Sequence, residues 1–318
     1  MSKNTTPEKE IQEKFLPKKN ISLKVAESMS RIEMWKRSER VHNCGTILQW
    51  ENCNCGQTRK LKRANFCKDR LCPICNWRRS RLLAKQCSNV LHTSLKRQKL
   101  RFLHLTLTVR NVDKNNLNSE VDKILEAFKL LFKYKQVKTV ITGFIRNLEI
   151  TYNPKRNDYH PHIHVLIAVK QDYFKNGKAG GYIPQNTWAE LWQRTLDVDY
   201  TPSVFISAIK PKKIGADPVV SAALEVAKYG VKDTDVLYSD DVLWVFANVL
   251  HARRLIAFGG LLKNIRSELN CTDVEADAAD LVGLEKCENV KCLICNSNLF
   301  EIVYTWSASG LVYEKSLL

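Results

Sequence analysis

The chain has 318 residues, with 50 Lys and Arg against 33 Asp and Glu, a formal net charge of +17, and 11 cysteines. That length allows one or two domains. No apolar run approaches the length needed to span a bilayer and the N-terminus lacks a signal-peptide core, so the expected location is cytoplasmic, with no membrane partner. The charge is uneven: residues 1–100 carry 23 basic and 8 acidic side chains, and the remainder 27 and 25. A basic region beside a nearly neutral one points to a DNA-gripping module joined to a catalytic one.

Residues 1–40 are expected to form a basic, largely disordered arm, because the stretch up to about residue 24 has little apolar periodicity and Pro7 and Pro17 interrupt it. Residues 41–99 are expected to form a metal-binding, DNA-contacting module ending in a basic helix. Cys44, Cys53, Cys55, Cys67, Cys72 and Cys75 cluster there, and a reducing compartment favours metal ligation by such thiols over disulfides. Cys72-Pro-Ile-Cys75 has the knuckle spacing in which two thiolates grip one Zn²⁺, and four of the six cysteines suffice for a tetrahedral site. Basic residues interleave with these cysteines and with Phe66 and Trp77. Arg59, Lys60, Lys62, Arg63, Arg70, Arg78 and Arg79 are therefore the candidate DNA contacts.

Residues 100–269 carry the pattern of an α+β domain. Residues 102–110 alternate Leu103, Leu105, Leu107 and Val109 with His104, Thr106 and Thr108, a period of two. Ser119 is expected to open a helix with Val121, Ile124, Leu125, Phe128 and Leu131 as its core stripe. Residues 144–152 alternate again, with Leu148 and Ile150 opposite Asn147, Glu149 and Thr151, and residues 153–157 read as a turn. The next strand is Tyr159-His-Pro-His-Ile-His-Val-Leu-Ile-Ala-Val169, in which His160, His162 and His164 share one face while Ile163, Val165 and Ile167 anchor the other. These three strands predict a central antiparallel sheet with helices on one face and a metal site on the other. Two imidazoles flanking a core residue can share one divalent ion, and Glu149 is the natural third ligand.

Gly177, Gly180 and Gly181 mark a loop without a phosphate-cradle pattern. Residues 185–196 predict a helix with Trp188, Leu191 and Trp192 in the core, and residues 204–209 a further strand. Asp217-Pro218 has the form of a helix N-cap followed by proline, and Glu225 and Tyr229 then fall four residues apart on the expected helix. A phenol needs charge or metal help to act as a nucleophile, and a carboxylate one turn away can serve as a base or hold water. Lys228 and Lys232 would attract a phosphate. Residues 270–318 are expected to be a small appendage with strands at 300–306 and 310–315. Its Cys287-x4-Cys292-x2-Cys295 repeats the spacing of Cys67-x4-Cys72-x2-Cys75 but lacks an evident fourth ligand, Cys271 lying well upstream.

The order of the Leu-Thr-Leu-Thr strand, His-Pro-His-Ile-His-Val-Leu-Ile and Glu225-Val-Ala-Lys-Tyr229, with residues 65–79 upstream and 253–263 downstream, resembles the rolling-circle replication initiators of small bacterial plasmids. These belong to the endonuclease superfamily named for two histidines around a hydrophobic residue (HUH). The resemblance covers residues 44–263. It implies site-specific nicking of origin DNA, with Tyr229 as nucleophile, His162 and His164 as ligands of Mg²⁺ or Mn²⁺, a 5′-phosphotyrosyl intermediate and a free 3′-hydroxyl primer. It gives Glu225 the role of activating water when the strand is released. Cys67, Cys72 and Cys75 match the family's cysteine motif, with Cys44 as the expected fourth Zn²⁺ ligand and Cys53 or Cys55 as substitutes. The implied partners are double-strand origin DNA, single-stranded DNA, and a host helicase and DNA polymerase. Two rival classes share part of the pattern. A single-strand transposase or relaxase would use the same metal and tyrosine, and a non-enzymatic zinc-dependent DNA-binding protein would need neither Glu225 nor the histidine face.

Overall fold

The computed structural model describes residues 7–56, 59–175, 181–209, 217–228, 230–276, 279–283, 291–292 and 294–317. Along the chain run α1 (Pro7–Glu10), a π-helical turn (Ile11–Phe15), α2 (Leu16–Arg31), α3 (Trp35–His42), β1 (Ile47–Asn52), β2 (Arg59–Ala64), α4 (Pro73–Arg97) and β3 (Leu100–Thr108). There follow α5 (Leu117–Leu131), α6 (Lys135–Val140), β4 (Ile141–Asn153), β5 (Asp158–Lys170), α7 (Gln185–Leu196), β6 (Val204–Ala208) and α8 (Pro218–Val226). The chain ends with α9 (Asp233–Val236), α10 (Asp240–Val249), β7 (Ile256–Gly259), α11 (Gly260–Glu268), β8 (Phe300–Ser307) and β9 (Val312–Leu317). The class is α+β, as expected, and it has two antiparallel sheets where one central sheet was expected. Among the described residues no helix is long and apolar enough to cross a membrane.

The chain divides into two compact units. The first comprises Met1–Leu82, Val236–Asn248 and Asp273–Leu318, and its sheet has the order β2-β1-β8-β9. Two expectations are corrected here. The C-terminal segment is not a separate appendage, because β8 pairs antiparallel with the whole of β1, from Ile47 opposite Thr305 to Asn52 opposite Phe300. Nor is the N-terminal arm disordered from Pro7 onward. Pro17 sits in the first turn of α2, where its missing N–H costs nothing, and Ile11, Phe15, Val25 and Met29 are buried. The Phe15 ring meets Trp77 edge-on at 4.9 Å.

The second unit comprises Leu83–Asp235 and Val249–Thr272, with the sheet order β6-β3-β5-β4-β7. Register aligns the alternating patterns: Leu107, Ile163 and Leu148 lie abreast on β3, β5 and β4, and so do Thr108, His162 and Glu149. The apolar residues of this set are buried, as are Val121, Ile124, Phe128 and Leu131 of α5 and Trp188 and Trp192 of α7. Each tryptophan removes roughly 150–250 Å² from water, worth about 4–6 kcal/mol before entropy is counted. Helix α5 begins at Leu117 rather than Ser119, whose Oγ donates to the Asn116 carbonyl from inside the first turn. Helix α7 has the expected bounds.

Candidate metal centres and nucleophile region

The long β4–β5 hairpin brings Glu149, His162 and His164 together. One ligand atom from each lies within 4.8 Å of the others. Glu149 Oε2 is 3.1 Å from His164 Nε2 and 3.6 Å from His162 Nε2. The opposite ring nitrogens are tied down: His162 Nδ1–H donates to the His160 carbonyl at 3.1 Å, and His164 Nδ1 is 3.3 Å from Thr106 Oγ1. A backbone carbonyl can only accept, so neutral His162 keeps its proton on Nδ1 and turns the Nε2 lone pair toward Glu149. Burial pushes the Glu149 carboxyl up, but His162 and His164 in their imidazolium forms, which carry a proton on Nε2 as well, donate to it and outweigh burial, holding the group well below the usual carboxylate range. An ionised carboxylate and two converging imidazole lone pairs form a donor set that fits a divalent cation.

The histidine face is not open along its whole length. Helix α8 packs on β4 and β5, and a cavity of about 180 Å³ between helix and sheet is lined by His104, Leu166, Ser207, Ser221, Ala222 and Glu225 among others. The His104 ring stacks on His164 with centroids 5.3 Å apart. Glu225 therefore faces the same side of the sheet as His104 and His164, and it pairs with Lys228. Asp217 caps α8 as expected, accepting from Val219 N–H at 2.7 Å.

Helix α8 ends at Val226 with Ala227 as its C-cap, and the expected pairing of Glu225 with the residue four positions on falls outside what the structure describes. Tyr229 lies outside the described residues. Its neighbours are fixed beside Glu149. The Asn147 side chain donates to the Lys228 carbonyl, and the Gly230 carbonyl accepts from Ile150 N–H at 2.8 Å. A Cβ on Gly230 would come within 2.6 Å of the Leu148 carbonyl oxygen, so only glycine allows this approach. Asn147 and Thr106 were not singled out as site residues in the sequence, although both alternate onto the histidine face.

In the first unit Cys44, Cys67, Cys72 and Cys75 form one four-thiol group within 4.8 Å, with Cys44 beside the three cysteines of the motif. Cys44 precedes β1, Cys67 follows β2, and Cys72 and Cys75 flank the start of α4. Burial opposes ionisation of Cys72, but hydrogen bonds from Cys44, Cys67 and Cys75 converge on it and hold its thiol well below the ordinary value. The Lys19 ammonium is fully buried and donates to the carbonyls of His42 and Cys44; burial lowers its pKa, and the nearby Cys44, Cys72 and Cys67 oppose that only in part. The proposed substitutes Cys53 and Cys55 belong instead to a second group, with Cys292 and Cys295. Cys271 is in the other unit, and Cys287 lies outside the described residues, as do Gly177 and Gly180.

The candidate DNA contacts divide. Arg78 and Arg79 are 5% and 3% exposed. Arg78 donates to the carbonyls of Leu281 and Val282, and Arg79 to those of Val274, Asp69 and Lys68. Arg70 pairs with Glu275 at 3.5 Å. These three hold the C-terminal segment or the cysteine loop, which corrects their assignment as DNA-facing. Lys62 pairs with Glu51 and Glu301. Arg63 is exposed, Lys60 is partly exposed, and the Arg59 side chain is outside the described residues.

Comparison with known proteins gives a consistent result. The model of the family described as "Replication protein" matches residues 58–313. A "Protein rep" of Bacillus amyloliquefaciens is 40% identical over 289 residues, covering 85% of this chain and 82% of that protein. A "Protein rep" of Streptococcus pneumoniae serotype 2 is 39% identical over 261 residues, with 81% and 80% coverage. A "Replication protein" of Staphylococcus aureus is 36% identical over 214 residues, with 65% and 87% coverage. No solved structure matches significantly. With more than half of its length inside the family model and close relatives along most of the chain, this chain belongs to the replication-protein family.

Proposed function

We propose that this protein initiates rolling-circle replication of a small plasmid by nicking one strand of its origin. The observation that carries the reading is the convergence of His162, His164 and Glu149 on one face of β4–β5, in a member of the replication-protein family, with the backbone on both sides of Tyr229 tied to the same strand.

His162, His164 and Glu149 would hold one divalent cation, which supplies Lewis-acid polarisation of the scissile phosphodiester. Two imidazole nitrogens and one carboxylate oxygen suit Mn²⁺ better than Mg²⁺, which prefers an all-oxygen shell. Tyr229 attacks phosphorus with its phenol oxygen and gives up the phenol proton to solvent. The P–O3′ bond breaks, the departing 3′ oxygen takes a proton to become the primer hydroxyl, and the 5′ phosphate remains on the tyrosine. Glu225 borders the cavity on the histidine face and draws a proton from the water that later hydrolyses the phosphotyrosyl bond. Cys44, Cys67, Cys72 and Cys75 would hold a structural Zn²⁺. Origin duplex and single-stranded DNA are the partners.

The test is a nicking assay on supercoiled origin plasmid with the covalent adduct mapped by mass spectrometry. Wild-type protein should nick with Mn²⁺ and carry the adduct on Tyr229, and Tyr229→Phe should bind origin DNA without cutting. Glu225→Gln should make the first nick and accumulate adduct. Cleavage by Tyr229→Phe, or an adduct on Tyr152 or Tyr159, overturns the nucleophile assignment. Origin binding with no nicking under any divalent ion would favour a non-enzymatic DNA-binding role.

A further inference from the structure

The β1–β2 hairpin carries cysteines at both ends. Cys44 and Cys67 flank its open end, while Cys53 and Cys55 sit in the turn between β1 and β2. The strand between the two positions spans about 20 Å, so the two pairs cannot serve one ion. Register supplies the partners of the turn. Asn52 at the end of β1 lies opposite Phe300 at the start of β8, and Cys292 and Cys295 stand just before that strand. The four sulfurs come within 4.8 Å of one another although Cys55 and Cys292 are 237 residues apart in sequence. Cys55 Sγ is 3.0 Å from Cys53 Sγ and 3.7 Å from Cys292 Sγ.

The local backbone is arranged as around the first group. Ile294 N–H donates to Cys292 Sγ at 3.4 Å, two residues on, as Asp69 N–H donates to Cys67 Sγ at 3.5 Å. Backbone N–H groups aimed at sulfur stabilise thiolate over thiol. Cys292 is closed into a small loop by Cys292 N–H to the Ser297 carbonyl at 2.9 Å and Asn296 N–H to the Cys292 carbonyl at 2.9 Å. Cys53 and Cys292 are buried, while Cys55 and Cys295 are exposed.

We infer that Cys53, Cys55, Cys292 and Cys295 bind a second Zn²⁺, which fastens the turn of the β1–β2 hairpin to the entry of β8. Four thiolates at one point select a soft or borderline cation with tetrahedral preference, and Zn²⁺ is the redox-inert member of that class. Binding releases the thiol protons to solvent and joins the two chain ends in one sheet. The inference is independent of the nicking mechanism.

Zinc is measured by plasma mass spectrometry on the full chain purified under reducing conditions. Two equivalents are expected in wild type and in Cys287→Ser, and one in Cys53→Ser/Cys55→Ser, in Cys292→Ser/Cys295→Ser and in Cys72→Ser/Cys75→Ser. A single equivalent in wild type that disappears only with Cys72→Ser/Cys75→Ser overturns the inference. Alkylation of the wild-type chain needs no variant to fold: Cys53, Cys55, Cys292 and Cys295 should be protected from iodoacetamide with zinc bound and modified after chelation. Equal modification in both states, or recovery of these cysteines as disulfides under reducing conditions, also overturns it.

Discussion

The histidine site and the cysteine sites place candidate metal ligands on two kinds of scaffold. Glu149, His162 and His164 stand on a hairpin whose backbone ladder and buried apolar face are complete without any ion. The cysteine groups instead gather loops: one joins the open end of the β1–β2 hairpin to the start of α4, the other joins the hairpin turn to the segment before β8. A site on a preformed sheet can lose its ion and keep its fold, which suits a cation that must meet substrate and exchange. Where ligation itself closes the chain, binding free energy is folding free energy.

The largest separation of the two kinds comes from the histidines. His162→Ala/His164→Ala is expected to lower metal-dependent nicking roughly a thousandfold or more, the kinetic equivalent of about 4 kcal/mol. The melting temperature should move little and the zinc content not at all. Nicking rate, thermal melt and zinc content measured on the same preparation check this. A variant that keeps its nicking rate but loses zinc would reverse the assignment of the two regions.

The contrast also explains what could be read from the sequence. Alternation along residues 102–110, 144–152 and 159–169 is a local signal, and antiparallel register through a short turn converts it directly into the Glu149–His162–His164 cluster. Helix α7 was legible for the same reason, its core stripe being contained in one element. The pairing of β1 with β8 leaves no local trace, so Cys292 and Cys295 seemed to lack partners and Cys53 and Cys55 seemed to be spare. The N-terminal helices were missed because Pro17 reads as a breaker unless its place in a first turn is known. Arg78 and Arg79 look DNA-facing when charge is counted, since nothing local shows the carbonyls of 274, 281 and 282 that receive them.

Those arginines give a test of intermediate size. Arg78 is buried with its guanidinium on two carbonyls and near the rings of Phe66 and Trp77. Removing a charged donor from buried acceptors costs about 1.5–3 kcal/mol. Arg78→Ala should therefore lower stability by about that amount in chemical denaturation and leave origin affinity unchanged at temperatures where the protein is folded. An unchanged denaturation midpoint with weakened DNA binding would show that the arginine serves DNA.

The smallest effect is expected at Arg63, which projects from β2 and is exposed. An exposed basic side chain on a DNA-facing surface contacts phosphate, and each such contact releases about one counterion and carries no sequence information. Arg63→Ala should leave the melting temperature and zinc content unchanged. It should weaken binding to origin and unrelated duplex alike, and reduce the slope of log affinity against log salt by about 1. The comparison with Arg78 is the informative part, because the two differ in burial rather than in charge. If Arg63→Ala left the salt slope unchanged while Arg78→Ala reduced it, the exposed face of β2 would not be the DNA-binding surface. The basic charge of the N-terminal third would then have to act through another face of the first unit.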